Sequence, residues 1–242
     1  MKTLSILLLL FISTFASNAF GENRIKGSGE ITTVQREVGT FNELKTSSGI
    51  QVILTQGDAK PLTLEMEDNL VQYIETIVRE NTLIIKTVSG TNLQATKPMK
   101  VFVTVPVLKD IEASSASNVS ANGTWKGEEM DIEASSAANV KLDVELTKLD
   151  VEASSAARIK LTGNVSRLKA ELSSASSLDA SGLKARSANL ETSSAAKISV
   201  SVSDEIKCDA SSGSRIEYYG SPRVSNSTSS SGGSVKQKNA VK

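Results

Sequence analysis

The 242-residue chain contains no histidine. The commonest near-neutral general base and the commonest metal ligand are therefore both missing. It has a single cysteine, Cys208, so no internal disulfide can form and other forces must hold the fold. Aromatic residues make up 4% of the chain, too few for the stacking platforms that bind bases or sugars. A charge excess of either sign is also lacking, because 27 Lys and Arg balance 27 Asp and Glu. That neutrality argues against nucleic acid as a partner, since phosphate binding relies on clustered cations. No apolar run reaches the roughly 20 residues needed to cross a bilayer.

At the N-terminus stands an export signal. Met1 and Lys2 make a short positive region, and residues 4–15 an apolar one. Small-residue cleavage sites follow Ala19 and Gly21. We therefore expect a signal peptide over residues 1–21 and an exported protein, in the periplasm, on the outer surface or secreted, with no transmembrane segment after its removal.

The mature chain repeats itself. Residues 110–119, 131–140, 150–159, 169–178, 189–198 and 207–216 are copies of one pattern centred on a Ser pair, and residues 226–235 are a weaker seventh. The first serines are Ser114, Ser135, Ser154, Ser173, Ser193, Ser211 and Ser230, at steps of 21, 19, 19, 20, 18 and 19. An eighth copy lies upstream at residues 44–52, with Ser47 in the first-serine position. The period is too short for paired-helix repeats or propeller blades and suits one solenoid coil. Within a copy, strand alternation puts Ile132, Ala134, Ser136, Ala138 and Val140 on one face and Glu133, Ser135, Ala137 and Asn139 on the other. Stacked coils would bury an inner column running from Ile111 through Ile132, Val151, Ala170 and Leu190 to Cys208. A second column would run from Val119 through Val140, Ile159, Leu178, Ile198 and Ile216 to Val235.

The expected fold is all-β: a single-stranded right-handed β-helix or β-solenoid with coils of about 19 residues. Residues 22–107 read as irregular N-terminal coils that cap it, with strands near 61–66, 83–87 and 100–106. Residues 108–235 are the regular Ser-rich solenoid, and residues 236–242 a basic tail whose Lys236 and Lys238 guard the last edge. Residues 48–58, together with 100–117 and the Ser-rich copies, carry a family resemblance. The chain resembles the head GIN domain family, also called auto-transporter adhesins, which are exported proteins of Gram-negative bacteria. The Gly-Ile-Asn of the family name stands here as Gly49-Ile50-Gln51. The resemblance implies a β-helix fold and brings no catalytic residues.

Coil stacking would also align an outward acidic ladder of Glu112, Glu133, Glu152, Glu171, Glu191 and Asp209. A second outward column would hold Asn118, Asn139, Arg158, Ser177, Lys197 and Arg215. Like charges on adjacent strands cost roughly 0.2–1 kcal/mol per pair, so a bound cation or basic partner could be drawn to Glu112, Glu133 and Glu152 beside Asn118 and Asn139. The competing reading is a solvated face that keeps the solenoid soluble. Each Ser pair recurs, so none stands out as a nucleophile, and no histidine could activate it. Zinc-ligand spacings and the calcium-binding nonapeptide are absent. These features predict no enzyme and no cofactor. The expectation is a cell-envelope or secreted binding protein, adhesin-like, whose partner is a cell-surface glycan or another envelope protein. A structural envelope scaffold and a polysaccharide-degrading enzyme are the alternatives.

Overall fold

The computed structural model describes residues 23–239. The expected signal segment and Lys242 lie outside them. The first nine strands are β1 (Asn23–Lys26), β2 (Ile31–Arg36), β3 (Glu43–Thr46), β4 (Gln51–Gln56), β5 (Leu62–Glu67), β6 (Ile74–Arg79), β7 (Thr82–Thr87), β8 (Thr91–Gln94) and β9 (Lys100–Val105). A 3₁₀ turn, Asp68–Tyr73, separates β5 from β6. The regular part holds β10 (Asp110–Ala113), β11 (Asn118–Ala134), β12 (Asn139–Ala153), β13 (Arg158–Leu172), β14 (Ser177–Thr192), β15 (Lys197–Ala210), β16 (Arg215–Tyr219), β17 (Arg223–Ser229) and β18 (Ser234–Lys238).

These strands form a β-solenoid. From β10 to β18 each coil pairs in parallel with the next. The register aligns Ile111 with Ile132, Ile132 with Val151, Val151 with Ala170, Ala170 with Leu190 and Leu190 with Cys208. All six are buried. Val119 through Val235 form the second inner column. Burial pushes the Cys208 thiol up to about 12, so it stays protonated and packs as a small hydrophobe.

The unequal repeat steps have a physical account. Ladder shifts fall between Ser120 and Thr124, between Lys160 and Thr162, between Ala180 and Lys184, between Ala185 and Ser187, and, where β15 pairs with β17, between Ile206 and Lys207. Extra or missing residues are absorbed there as bulges, all of them outside the strand segments that carry the acidic ladder. The strand segments carrying the acidic residues stay in register from Glu112 to Asp209.

The Ser pairs build a corner of the coil. In each of seven coils the fourth residue of the motif donates its N–H to the first serine, as Ala138 does to Ser135 at 3.0 Å. Both central residues have positive φ: Ser136 at 49° and Ala137 at 62°. This is a type I′ turn. The turns also bond to one another, since the N–H of Ala137 donates to the carbonyl of Ser155. Ser136, expected to face inward, is therefore exposed, because the chain turns at that residue instead of continuing as a strand.

Left-handed backbone costs a non-glycine residue roughly 1–2 kcal/mol. Type I′ turns favour Asn-Gly at the central pair, and only Gly49, Gly213 and Gly232 supply a glycine at the second position. Replacing Ser136 with Asn and Ala137 with Gly should stabilise the protein by about 1–2 kcal/mol. Urea unfolding midpoints check this; an unchanged midpoint would show that stacking has removed the cost.

The N-terminal end departs from chain order. β3 and β4 stack directly beneath β10 and β11, with Leu44 against Ile111 and Val52 against Val119. The upstream copy is thus a true coil, although it lies far away in sequence. Beneath it come β7 and β9, later in the chain, pairing in parallel with β3 and β4. Antiparallel β6, β5 and β2 then close that end, and β1 pairs with β8 as a separate ribbon. Glu67 ties the closure together. It accepts hydrogen bonds from the N–H of Gly29 at 2.7 Å and the N–H and hydroxyl of Thr96 at 2.8 and 2.6 Å. The Thr96 hydroxyl, the largest influence, holds its carboxyl below the usual range.

Among the described residues the C-terminal end has no such closure. β17 is exposed throughout, and its inward positions carry Ser227 and Ser229 where the coil below has Cys208 and Ala210. Lys236 and Lys238 sit on β18. Changing both to Val should promote concentration-dependent assembly without altering the circular dichroism of the monomer, because lysine on an edge strand opposes strand addition. Light scattering that finds the variant as monodisperse as the parent would remove that role.

Candidate functional site

The acidic ladder exists as an unbroken column. Glu112, Glu133, Glu152, Glu171, Glu191 and Asp209 occupy consecutive rungs, about 4.8 Å apart. Two residues further along each strand, the first serine of the turn points the same way. The strand then bends away into the turn, so carboxylates and hydroxyls together line a groove of about 510 Å³ running along the stack.

The asparagines do not join it. Asn118 and Asn139 lie beyond the turn and donate back to the carbonyls of Ala116 and Ala137, at 3.2 and 3.3 Å. Their amides brace the corner. The spacing of six residues hid this, because it takes no account of the reversal between the two columns.

At its N-terminal end the ladder merges with a second hollow of about 420 Å³, which adds Glu43, Asp110, Glu129 and Asp131 and only Lys109 as a cation. Lys45 pairs with Glu112, and Lys109 lies 3.6 Å from Glu129. Burial and the neighbouring Glu133, Glu43, Asp131 and Glu112 push Asp110 up to about 6. Burial and then Asp150 raise Asp131 as well. Sequence reasoning missed Asp110 and Asp131, although each opens a copy of the repeat and so had to stack like the glutamates.

The pH consequence follows from the sign. A carboxyl raised in the folded state binds its proton more tightly there than in the unfolded chain. Its contribution therefore lowers stability as pH rises from about 3.9 through about 6, and the cost is complete above that. Asp110→Asn should raise stability near neutral pH by about 1–2 kcal/mol, allowing for solvent screening of a half-exposed group. Unfolding curves across that window test it: the parent should lose stability relative to the variant as pH rises, and parallel curves would refute it.

A third hollow, of about 430 Å³, lies on the same face toward the C-terminal coils. There the balance reverses, with Lys148, Arg167, Lys169 and Lys207 against Asp150 and Glu205. Among the described residues no group of His, Cys, Asp or Glu has the arrangement of a metal site.

Residues 40–222 match the family described as "Putative auto-transporter adhesin, head GIN domain". The chain belongs to this family. Three solved structures share the head GIN domain chain's fold. A "putative adhesin" of Bacteroides fragilis superposes with a TM-score of 0.79 at 22% identity, covering 89% of this chain and 100% of its own. A "putative lipid binding protein" of Parabacteroides distasonis gives 0.75 at 21%, with 89% and 100% covered. A "putative adhesin" of Parabacteroides merdae gives 0.74 at 21%, with 89% and 99% covered. At such identities the likeness is one of fold. No curated protein matches the chain in sequence.

Proposed function

We propose that this head GIN domain protein is a non-enzymatic, exported binding protein of the cell envelope or its surroundings, adhesin-like, that holds a glycan along the acidic groove. The observation that carries the reading is the groove itself. It repeats one carboxylate and one serine hydroxyl per coil from Ser135 to Ser211, so it offers a repeating polymer the same contacts at each step. Carboxylates accept hydrogen bonds from sugar hydroxyls, and serines both donate and accept them. The recurrence that disqualifies any one serine as a nucleophile is what a processive chain of identical contacts requires. Glu112, Glu133 and Glu152 are the leading contact residues, with Asn118 and Asn139 shaping the adjoining corner. Family membership supports the export and adhesion parts of the reading.

A glycan array with the purified mature protein tests the proposal. Binding without product release is the expected result, weakened when Glu133 and Glu152 are both changed to Gln. Failure to bind any glycan would overturn it in favour of an envelope scaffold, and released product would overturn it in favour of an enzyme. Binding only to lipid vesicles would transfer to this chain the activity named for the Parabacteroides distasonis neighbour.

A further inference from the structure

The serine turns separate two columns of opposite charge. Before each turn stands a carboxylate of the ladder; beyond it stands Asn118, Asn139, Arg158, Ser177, Lys197 or Arg215. The columns are matched coil by coil. Glu112 and Glu171, whose coils offer only Asn118 and Ser177, are paired by Lys45 and by Lys169. Glu152, Glu191 and Asp209, whose coils offer Arg158, Lys197 and Arg215, are exposed and form no ion pair among the described residues. Glu133, beside Asn139, has neither arrangement. On the cationic side Arg158 is also without an ion pair, and Lys197, Arg215 and Lys238 share the single carboxylate of Glu217 at 3.7, 3.7 and 3.5 Å. Negative charge is thus in excess on one side of the turns and positive on the other, and the turn keeps them apart within a copy. The ridge between them is low. Its tips are Ser155 and Ala156, Ser174 and Ala175, and Ser194 and Ala195, all exposed and none bulky.

We propose that two copies of this chain associate side by side along this ridge, about a two-fold axis parallel to the stack. Such an axis leaves height along the stack unchanged and exchanges the two sides of the ridge. Each coil then meets the same coil of the other copy. Glu152, Glu191 and Asp209 face Arg158, Lys197 and Arg215 of the second copy, and symmetry makes each contact twice. The small turn tips let the ridges approach, and the long cationic side chains reach past them. A second copy is the partner selected because it carries its cations at the ladder's own period and in the matching coils, which an unrelated surface has no reason to reproduce. The chain as a whole is neutral, with 27 cations against 27 anions, so no long-range repulsion opposes the encounter. Glu112 and Glu133 face neutral Asn118 and Asn139 in the pair, and that end of the groove keeps its carboxylates free. The inference goes beyond the glycan reading and does not depend on it.

Sedimentation equilibrium of the purified mature protein tests the proposal. A dimer is expected at low salt, with its Kd about tenfold weaker or worse near 0.5 M salt, because exposed ion pairs are screened. Arg158→Glu with Lys197→Glu should leave monomers, since like charges then face each other; Arg215 and Lys238 remain to hold Glu217. Glu152→Lys with Glu191→Lys should do the same. An equimolar mixture of the two variants should restore a dimer containing one of each, which misfolded chains could not form. Ala156→Cys puts a thiol on the two-fold axis and should form a disulfide with its own counterpart under an added oxidant at low salt. Asn164→Cys, exposed further along β13, should not. A parent that stays monomeric at every salt concentration would overturn the proposal, as would a charge-reversed variant that dimerises as strongly as the parent. So would a mixture that stays monomeric, or equal crosslinking at the two cysteine positions. Sedimentation contains no sugar, so a monomeric protein that still binds on the glycan array loses this inference alone, and a dimer that binds no glycan keeps it.

Discussion

Ile132→Asp should destabilise the protein by about 4–5 kcal/mol or more, enough to prevent folding. Ile132 is 1% exposed and stacks between Ile111 and Val151. A carboxylate there would be desolvated with no cation or donor to meet it. Ala137→Asp, only five residues on, should change stability by less than about 1 kcal/mol. That position is exposed at the tip of a turn, and Asp tolerates a left-handed backbone better than most residues. Urea unfolding of both variants provides the comparison. Equal losses would mean that the inward and outward columns are wrongly assigned.

Gly163→Ala should cost about 2–4 kcal/mol, a large effect for one methyl group. Gly163 has φ of 104°, and an added Cβ would lie 2.1 Å from the carbonyl oxygen of Val144. That oxygen belongs to the coil below, whose strand is paired to Gly163 on the spot, so neither side can withdraw without opening the ladder. Gly182→Ala makes the control. Its Cβ would meet the Thr162 side chain at 3.0 Å, and a methyl can give way where a backbone carbonyl cannot. Thermal melts should place the Gly163 variant well below the Gly182 variant. Similar melting temperatures would show that the β12–β13 pairing yields at this point.

Much of this architecture was legible because the coil is enforced twice. The apolar residues recur both every second position and every coil, so Ile132 and Val140 could be assigned a column and a face without coordinates. The acidic ladder followed from the same register. The corner at Ser135–Ala138 was less legible for a geometric reason. Ala134 and Ala138 both face inward and are separated by an even number of residues. The alternation therefore runs unbroken through a turn, and Ser136 takes the wrong side. The available signal was Gly49, Gly213 and Gly232, which occupy the position held by Ala137 in its coil. Glycine at one point of a repeat marks positive φ in all of its copies.

The N-terminal order was hidden for another reason. Nothing local in residues 82–105 says that they lie beneath residues 43–56, because that placement depends on which edge is vacant when the chain returns. The partnerless amide oxygen of Asn189 was equally invisible. One copy carries Asn where its neighbours carry Lys, and only the packing reveals that its oxygen is left without a donor.

Nearest-neighbour pairing makes molecular length an inheritable variable separate from fold. In-frame duplication of one period, such as residues 154–172, would insert a coil whose lower edge matches Ala153's coil and whose upper edge matches its own parent. The cap at one end and the polar last coil at the other would be untouched. Unequal crossing-over within the Ser-rich stretch could then lengthen or shorten the protein in steps of about 4.8 Å, changing the reach of its surface while every rung keeps its partner.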